Sequence, residues 1–339
     1  MEILFALVMG KPLWMWILFI GIVLLLLVLD LGLLHRKARE IGVKESLALS
    51  AFYIAIALIF GGFVWQTLGA MSGKEYVTGY LVEKTLAMDN VFIISLVFTY
   101  FAIPPKYQHR VLFWGILGVI VLRAIMIGVG AALVAQFSWV LYIFALFLIA
   151  TGIKMLVIGD KLPDIENNPV LKLLRRNLRI TPELHDQRFF VRRTDPVTSA
   201  HVTWVTPLFV ALILVEIVDV IFAVDSVPAI FAITTDPFIV YTSNIFAILG
   251  LRALYFALAA VIDRFAYLKT ALALVLVFIG SKIFIADFAG WEKFPASISL
   301  GVTLALIAGG VAYSLWRTQR PAVDRAAKAT LAGHEDTHA

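Results

Sequence analysis

The chain has 339 residues, of which 61% are hydrophobic and 15% charged, and its mean hydropathy of +0.94 excludes an ordinary soluble domain. The absence of cysteine excludes disulfides and thiolate metal sites. All six histidines fall in predicted loops, helix ends or the tail, which favours oxygen ligands for any bound metal. The composition predicts an all-α polytopic membrane protein with a single membrane domain over residues 1–339.

Nine apolar segments are long enough to span a bilayer, near residues 13–34, 47–68, 77–101, 109–134, 137–158, 207–232, 240–262, 267–287 and 295–316. If the N-terminus is outside, the cytoplasmic loops and tail contain 20 Lys and Arg residues, and the outer segments contain three. Because cytoplasmic loops are enriched in these residues, the pattern predicts an N-out, C-in topology. The same loops explain the net charge of +5 without nucleic acid as a partner.

The longest predicted loop, residues 159–203, contains "NPVLKLLRRNLRI" and "HDQRFFVRRTDP". Interleaved apolar and basic residues are typical of a helix that lies on an anionic membrane face. The loop is therefore predicted to anchor on the membrane, with a regulatory docking role as the alternative and its protein partners unknown. The polar composition of residues 317–339 predicts a disordered tail.

Within the spans, the order carboxylates, Arg, Lys occurs twice along the chain. Three pairs of segments align: "VEKTLAMDNVFII" (82–94) with "VDVIFAVDSVPAI" (218–230), "GILGVIVLRA" (115–124) with "AILGLRA" (247–253), and "TGIKM" (151–155) with "IGSKI" (279–283). Each copy covers three spans, in residues 77–158 and 207–287. Because three is odd, the second copy enters the membrane from the opposite side. The sequence thus predicts inverted repeats with a substrate site where they meet.

Carboxylates inside the spans are costly, at about 2.5–3.5 kcal/mol for a charge at the bilayer centre, so they must pair or bind something. The matched motifs supply the predicted metal ligands Glu83, Asp89, Asn90, Glu216, Asp219, Asp225 and Ser226. Their oxygens suit a hard divalent cation such as Mn²⁺, Mg²⁺ or Ca²⁺, and the neighbouring Met88 could add a thioether that favours Mn²⁺. The alternative is that these acids only form structural ion pairs with intramembrane bases.

Helix geometry adds a condition to this hypothesis. Glu83 and Asp89, six residues apart, do not share a face of an unbroken helix. Pro228 predicts a break in the second copy, three residues after Asp225. Unwound backbone beside Asp89 and Asp225 would then add carbonyl ligands.

Other intramembrane polar residues are predicted to support the site, namely Asp30, Lys84, Arg123, Lys154, Asn244, Arg252 and Lys282. Arg123 and Arg252 are expected to hold carboxylates when no substrate is bound. Lys154 and Lys282 lie nearer opposite helix ends, where snorkelling is the simpler explanation. Asn244 is expected to bond to another helix or to act as a ligand. Asp30 either caps the first helix at the interface or joins the site.

Four strings resemble the TerC family, near its Alx branch, over about residues 13–316: "VEKTLAMDNVFIISLVF", "FFVRRTDPVTS", "TPLFVALILVEIVDVIFAVDSVPAIFAITTDPF" and "YTSNIFAILGLRALYF". The resemblance implies a bacterial inner-membrane protein linked to Mn²⁺ export and manganese homeostasis, with further links to tellurite resistance and alkaline response. By position, the family's acidic motifs fall on Glu83, Asp89, Asn90, Glu216, Asp219, Asp225 and Ser226. The segment before "TPLF" is longer than the family's usual run, which leaves the role of this loop open.

The residues and the resemblance together predict a secondary exporter of Mn²⁺, with no enzyme activity and no resident cofactor, and with protons as a candidate coupling ion. One alternative is a non-transporting membrane factor that assists protein insertion or supplies metal to exported enzymes. Another is an intramembrane aspartyl protease, although its nearest Gly-Asp motif, "VIGD" (157–160), lies at a helix end. The sequence contains no nucleotide-binding loop, which argues against an ATP-driven pump in this chain alone.

Overall fold

A computed structural model describes residues 2–32, 42–158, 165–166, 168–194, 201–259 and 268–335. The helices are α1 (Glu2–Phe5), α2 (Leu13–Gly32), α3 (Val43–Leu68), α4 (Ala70–Tyr100), α5 (Pro105–Gln136), α6 (Val140–Ile158), α7 (Pro169–Asn177), α8 (Pro207–Ile233), α9 (Pro237–Ile248), α10 (Leu251–Ala259), α11 (Leu268–Phe288) and α12 (Ala296–Glu335). Two small antiparallel hairpins accompany them, β1 (Leu7–Val8) with β2 (Lys11–Pro12) and β3 (Phe190–Thr194) with β4 (His201–Val205). The predicted all-α class is therefore confirmed.

Eight helical stretches in the described residues are long and apolar enough to cross a membrane. They correspond to every predicted span except residues 77–101. That segment lies in α4, which at 31 residues exceeds the length of about 20 that a bilayer requires but carries several charged side chains. A polytopic membrane architecture is thus confirmed, whereas nine as the number of spans stays a prediction.

The helix connections gather at two ends of the bundle. The N-terminal end contains residues 9–11, 68–72, 234–237 and 290–295. The basic end contains the start of α5 together with α7 and the β3–β4 hairpin. Since α4 starts at the N-terminal end and α8 finishes there, the two helices that carry the acidic motifs run in opposite directions.

The predicted unwinding beside the acidic motifs is wrong. Helix α4 passes through Asp89 without interruption, and α8 passes through Pro228. A proline is tolerated there because it removes a single backbone hydrogen bond, which neighbouring helices in a membrane bundle can compensate. The break lies instead between α9 and α10, where Gly250 has a φ of +80°. A Cβ at Gly250 would approach the Tyr53 ring to 2.7 Å, so conformation and contact both require glycine.

Burial differs strongly between helices. In the most apolar 18-residue window of Pro237–Leu258, formed by α9 and α10, 89% of the residues are buried, whereas the share is 11% in that of Ala296–Ser314 in α12. The first therefore forms the centre of the bundle and the second its rim.

Helix α12 also continues through residues 317–335, which differs from the predicted disordered tail. The many alanines of this segment favour a helix.

Helices α6 and α11 approach each other closely through two glycines. A Cβ at Gly152 would lie 2.7 Å from the Ala273 backbone oxygen, and a Cβ at Gly280 would lie 2.5 Å from the Ala145 oxygen. Gly152 and Gly280 are aligned positions of the predicted repeats, and so are Ala145 and Ala273. This reciprocal contact is what a two-fold axis between the copies would produce, but the repeat itself stays a prediction.

We expect Gly280→Ala to destabilise the protein by about 1–3 kcal/mol, because the added methyl group must displace the backbone of α6. Gly301 in α12 provides the matched control, since nothing lies within 4 Å of its Cβ position. Gly301→Ala should be neutral or slightly stabilising through its higher helix propensity. Thermal unfolding in detergent compares the two variants, and equal melting temperatures would contradict the importance of this contact.

Candidate functional site

Arg123 of α5 lies at the centre of the bundle and is 1% exposed. Its guanidinium pairs with the carboxylates of Glu83 on α4 and Asp219 on α8. Toward Asp219 the pairing is bidentate, with Nη2 at 3.1 Å from Oδ1 and Nε at 3.2 Å from Oδ2. Such fork-like pairing fixes geometry as well as charge. Arg123 therefore joins α5 to α4 and α8, and the acidic motifs of α4 and α8 belong to different predicted repeats.

Neutral polar groups complete this arrangement. Asn90 Nδ2 donates to Asp219 Oδ1 at 2.9 Å, and Asn244 Nδ2 donates to Glu83 Oε2 at 3.0 Å. Arg123 Nη1 also donates to Ser226 Oγ at 3.0 Å and to Asn244 Oδ1 at 3.2 Å. We call this cluster the Arg123 network, which consists of Glu83, Asn90, Arg123, Asp219, Ser226 and Asn244. It joins α4, α5, α8 and α9 in the interior of the bundle.

The Arg123 network contains two carboxylates and one guanidinium. Lys84, next to Glu83 in the chain, binds elsewhere, since its Nζ donates to the carbonyl of Ala247 at 3.1 Å and lies 3.5 Å from that of Leu249. These carbonyls end α9 at the helix break, where a cation is favourable. With both acids ionised, the network therefore has one more negative than positive charge, which a proton or a bound cation would neutralise.

Two buried acceptor atoms at or beside the network, Asn90 Oδ1 and Glu216 Oε2, have no hydrogen-bond partner among the described residues. Glu216 precedes Asp219 by one turn of α8, and its Oε2 would lie 2.6 Å from a Cβ at Gly118 of α5. A cavity of about 20 Å³ borders Asn90, Asp219 and Gly115. This volume is that of one water molecule, and almost all of the cavity wall is apolar.

The seven predicted metal ligands are only partly brought together. Glu83, Asn90, Asp219 and Ser226 belong to the Arg123 network, and Glu216 lies beside it. The side chain of Asp89 lies outside the described residues. In the part of the chain that the structure describes, no three acidic or histidine side chains are close enough to hold a metal ion. The guanidinium of Arg123 occupies the space between the carboxylates, and their role as metal ligands stays a prediction.

Asp225 lies apart from the other predicted ligands. Its Oδ1 accepts a hydrogen bond from Thr151 Oγ1 of α6 at 3.3 Å, and Lys154 interacts with it electrostatically. The reason is helix geometry: α8 is unbroken, so Asp219 and Asp225, six residues apart, lie on different faces. Lys154 itself is exposed near the end of α6, as snorkelling requires.

Asp30 forms a second buried ion pair, with Arg252 of α10, and Tyr53 also hydrogen-bonds to its carboxylate. This pairing ties α2 to the segment that follows the helix break. Asp30 is therefore part of a buried polar cluster and not a solvated cap at the interface. Arg252 also borders the 20 Å³ cavity beside Asp219, so the two ion pairs are neighbours.

The snorkelling interpretation is wrong for Lys282. This residue is 4% exposed, and its Nζ donates to Ser299 Oγ of α12 at 3.2 Å, because α12 covers this part of α11. Sequence reasoning also missed Glu75, a buried carboxylate on α4 that accepts a hydrogen bond from Thr234. Glu75 was missed because the predicted span begins at residue 77, whereas α4 already begins at Ala70. The available signal was an acidic residue immediately before an apolar segment.

Helix α7 and the β3–β4 hairpin cover the basic end of the bundle. Leu171 of α7 is fully buried against a cluster that includes residues of α4, α5 and α8. Arg175 Nη2 donates to the Tyr100 hydroxyl at the end of α4 at 3.0 Å. The apolar face of α7 thus packs on the protein, which differs from the predicted membrane anchoring, although Leu173 stays exposed. Residues 159–164, 167 and 195–200 of this loop lie outside the described residues.

Comparisons with known proteins agree with this architecture. A family model described as "Integral membrane protein TerC family" matches residues 68–322. The chain is 50% identical over 302 residues to an "Uncharacterized membrane protein" of Rickettsia bellii, covering 89% of this chain and 97% of that protein. It is 44% identical over 316 residues to the "Putative membrane-bound redox modulator Alx" of Salmonella typhi, covering 91% and 95%. No solved structure matches the chain. The chain therefore belongs to the TerC family of integral membrane proteins.

Proposed function

We propose that this protein is a secondary transporter that moves a divalent metal cation across the bacterial inner membrane through the Arg123 network. The observation that carries the proposal is the charge of that network, in which two buried carboxylates share one guanidinium. A purely structural ion pair needs one acid for each base, because an excess buried charge is costly. The second carboxylate is explained if a cation visits the site.

Arg123 acts in this mechanism as a tethered cation that holds the two carboxylates together when no substrate is bound. An arriving metal ion would take over Glu83 and Asp219, with the unpartnered Oδ1 of Asn90 as a further ligand. Such oxygens suit Mn²⁺, Mg²⁺ or Ca²⁺. The return of the guanidinium would then favour release, which matters because a transport site must bind its ion and also let it leave.

Among the described residues, packed side chains cover the network toward both ends of the bundle. At the basic end α7 and the β3–β4 hairpin cover the helices. Toward the N-terminal end Gly79 of α4 packs directly against Ile230 of α8, and a Cβ at Gly79 would lie 3.0 Å from Ser243 Oγ. Movement of the two predicted repeats against each other would open the network first to one face of the membrane and then to the other, as in transporters built from inverted repeats.

The preference for Mn²⁺ and the outward direction rest on the resemblance to the TerC family, and the inner membrane is proposed from the bacterial relatives. Three of the similar proteins bear the name "Putative membrane-bound redox modulator Alx". This chain has no cysteine, so thiol–disulfide chemistry is not available within it. The proposal assigns the chain no enzyme activity and no resident cofactor.

The test is Mn²⁺ flux into proteoliposomes, followed with a metal-sensitive dye inside the vesicles. Asp219→Asn and Glu83→Gln each keep the size of the side chain and remove its charge, and each should lower flux at least about tenfold, since a lost charged ligand costs more than 1.4 kcal/mol. Glu166→Gln, at an exposed position of the basic end, is the matched control and should transport normally. Competition by Mg²⁺ and Ca²⁺ would rank selectivity.

Absence of Mn²⁺ flux from well-folded wild-type protein under every gradient would contradict the proposal. It would favour the non-transporting alternative, a membrane factor that assists protein insertion or metal delivery. That alternative predicts that changes in the loop at residues 168–194 are more harmful than Asp219→Asn.

A further inference from the structure

A cavity of about 400 Å³ lies at the N-terminal end of the bundle, between α4, α6, α8, α11 and α12. Its volume is in the range of sites for small molecules, about 300–1,000 Å³. The polar part of its wall includes the buried Glu75, Thr78, Thr234, Lys282 and Ser299, and three exposed charged residues, Asp287, Glu292 and Lys293, line it as well. Aromatic side chains, among them Tyr142, Phe231 and Trp291, form much of the remainder. The contact between Gly79 and Ile230 separates this cavity from the Arg123 network.

The cavity wall contains two buried groups of opposite charge. Glu75 is 7% exposed and Lys282 is 4% exposed. Each is held by one hydroxyl, since Thr234 Oγ1 donates to Glu75 Oε2 at 2.6 Å and Lys282 Nζ donates to Ser299 Oγ at 3.2 Å. The two charges interact electrostatically, yet among the described residues they form no direct ion pair.

Separated charges of this kind retain unused hydrogen-bonding capacity. The ammonium of Lys282 has three donors and uses one, and the second carboxylate oxygen of Glu75 has no protein partner in the described residues. If the pair were purely structural, direct contact would neutralise both groups at the lowest cost. A simple cation would satisfy Glu75 but would be repelled by Lys282, and a simple anion would meet the opposite problem.

We propose that this cavity binds a small zwitterion, with its primary ammonium at Glu75 and its carboxylate or phosphate at Lys282. The aromatic part of the wall would receive the apolar portion of the ligand. Two sources share this chemistry, a free amino acid and the headgroup of an ethanolamine phospholipid. The site is separate from the Arg123 network, so the proposal does not depend on metal transport.

The first experiment compares ligands on the wild-type protein and needs no variant. The melting temperature in detergent is measured with O-phosphoethanolamine or L-alanine, and with the half-ligands ethanolamine, inorganic phosphate and acetate at equal ionic strength. A zwitterion should raise the melting temperature at concentrations where each half-ligand has no effect, because binding stabilises the folded state. An equal shift with ethanolamine alone would overturn the proposal in favour of a cation site.

A lipid source is tested in nanodiscs made of phosphatidylethanolamine or phosphatidylglycerol, followed by native mass spectrometry. Selective retention of the ethanolamine lipid would assign the ligand to the membrane, and stabilisation by the soluble compounds alone would assign it to a free zwitterion. Both results support the proposed chemistry. No stabilisation by any zwitterion, together with equal retention of both lipids, would overturn it.

Variants then locate the site. Glu75→Gln and Lys282→Met each remove one charge at nearly constant volume, and each should weaken binding about tenfold or more, as expected for a charged hydrogen bond. Glu166→Gln and Lys172→Met change the same charges at exposed positions of the basic end and should bind normally. Unchanged binding in both cavity variants would place the ligand elsewhere. If a variant fails to fold, the ligand comparison on the wild-type protein still decides the question.

Discussion

Replacing Arg123 with methionine is expected to destabilise the protein by about 3–5 kcal/mol, because Glu83 and Asp219 would remain buried without their basic partner. Methionine keeps much of the volume of the arginine stem and removes the guanidinium. The loss should be visible as a lower melting temperature and a lower yield of monodisperse protein in detergent. A variant as stable as the wild type would show that neither carboxylate depends on Arg123 for its burial.

Removing all three charges separates a structural from a functional role of the network. The triple variant Glu83→Gln, Arg123→Met, Asp219→Asn contains no buried charge in the network, so it should recover much of the stability that Arg123→Met loses. Its Mn²⁺ flux should nevertheless stay at least about tenfold below wild type, because the charged ligands are absent. Recovery of both stability and flux would show that the network holds helices together and binds no substrate.

The second large effect is expected at the ion pair between Asp30 and Arg252. Asp30→Leu alone should cost about 3–5 kcal/mol, since Arg252 loses its buried carboxylate partner. Adding Arg252→Met should offset a large part of that loss, because no unpaired charge then remains. A double-mutant cycle from unfolding measurements gives the coupling between the two side chains. Strictly additive losses would show that the pair contributes nothing as a pair.

Metal flux tests whether the ion pair between Asp30 and Arg252 takes part in transport. The doubly apolar variant at positions 30 and 252 should transport Mn²⁺ at nearly the wild-type rate, because this pair connects α2 to α10 and stands outside the Arg123 network. A loss of flux as large as that of Asp219→Asn would instead make Asp30 part of the transport site.

Several features of the site followed from the sequence by itself. Hydropathy identified the membrane spans because a chain in lipid must satisfy its backbone within helices, which need about 20 apolar residues. Charges within such spans are costly enough to be noticed without any structure, and this cost singled out Glu83, Arg123 and Asp219.

Other features were decided by tertiary structure. Pro228 is the strongest local breaker in the acidic motifs, yet the helix breaks at Gly250, where the Tyr53 ring packs against the backbone and Lys84 binds the carbonyls at the end of α9. Asp225 matches Asp89 in sequence but meets Thr151 of α6. A lysine near a helix end was expected to reach solvent, but α12 covers Lys282.

The physical reason is that hydropathy, charge and helix propensity are properties of one segment, whereas the partner of a buried charge depends on which helix faces meet. Glu83, Arg123 and Asp219 lie on three different helices, and only the packing of these helices brings one guanidinium to two carboxylates. The sequence by itself determined that these charges must be satisfied inside the membrane. The tertiary structure decided that two of these carboxylates share one guanidinium, and that Glu75 and Lys282 line a separate cavity.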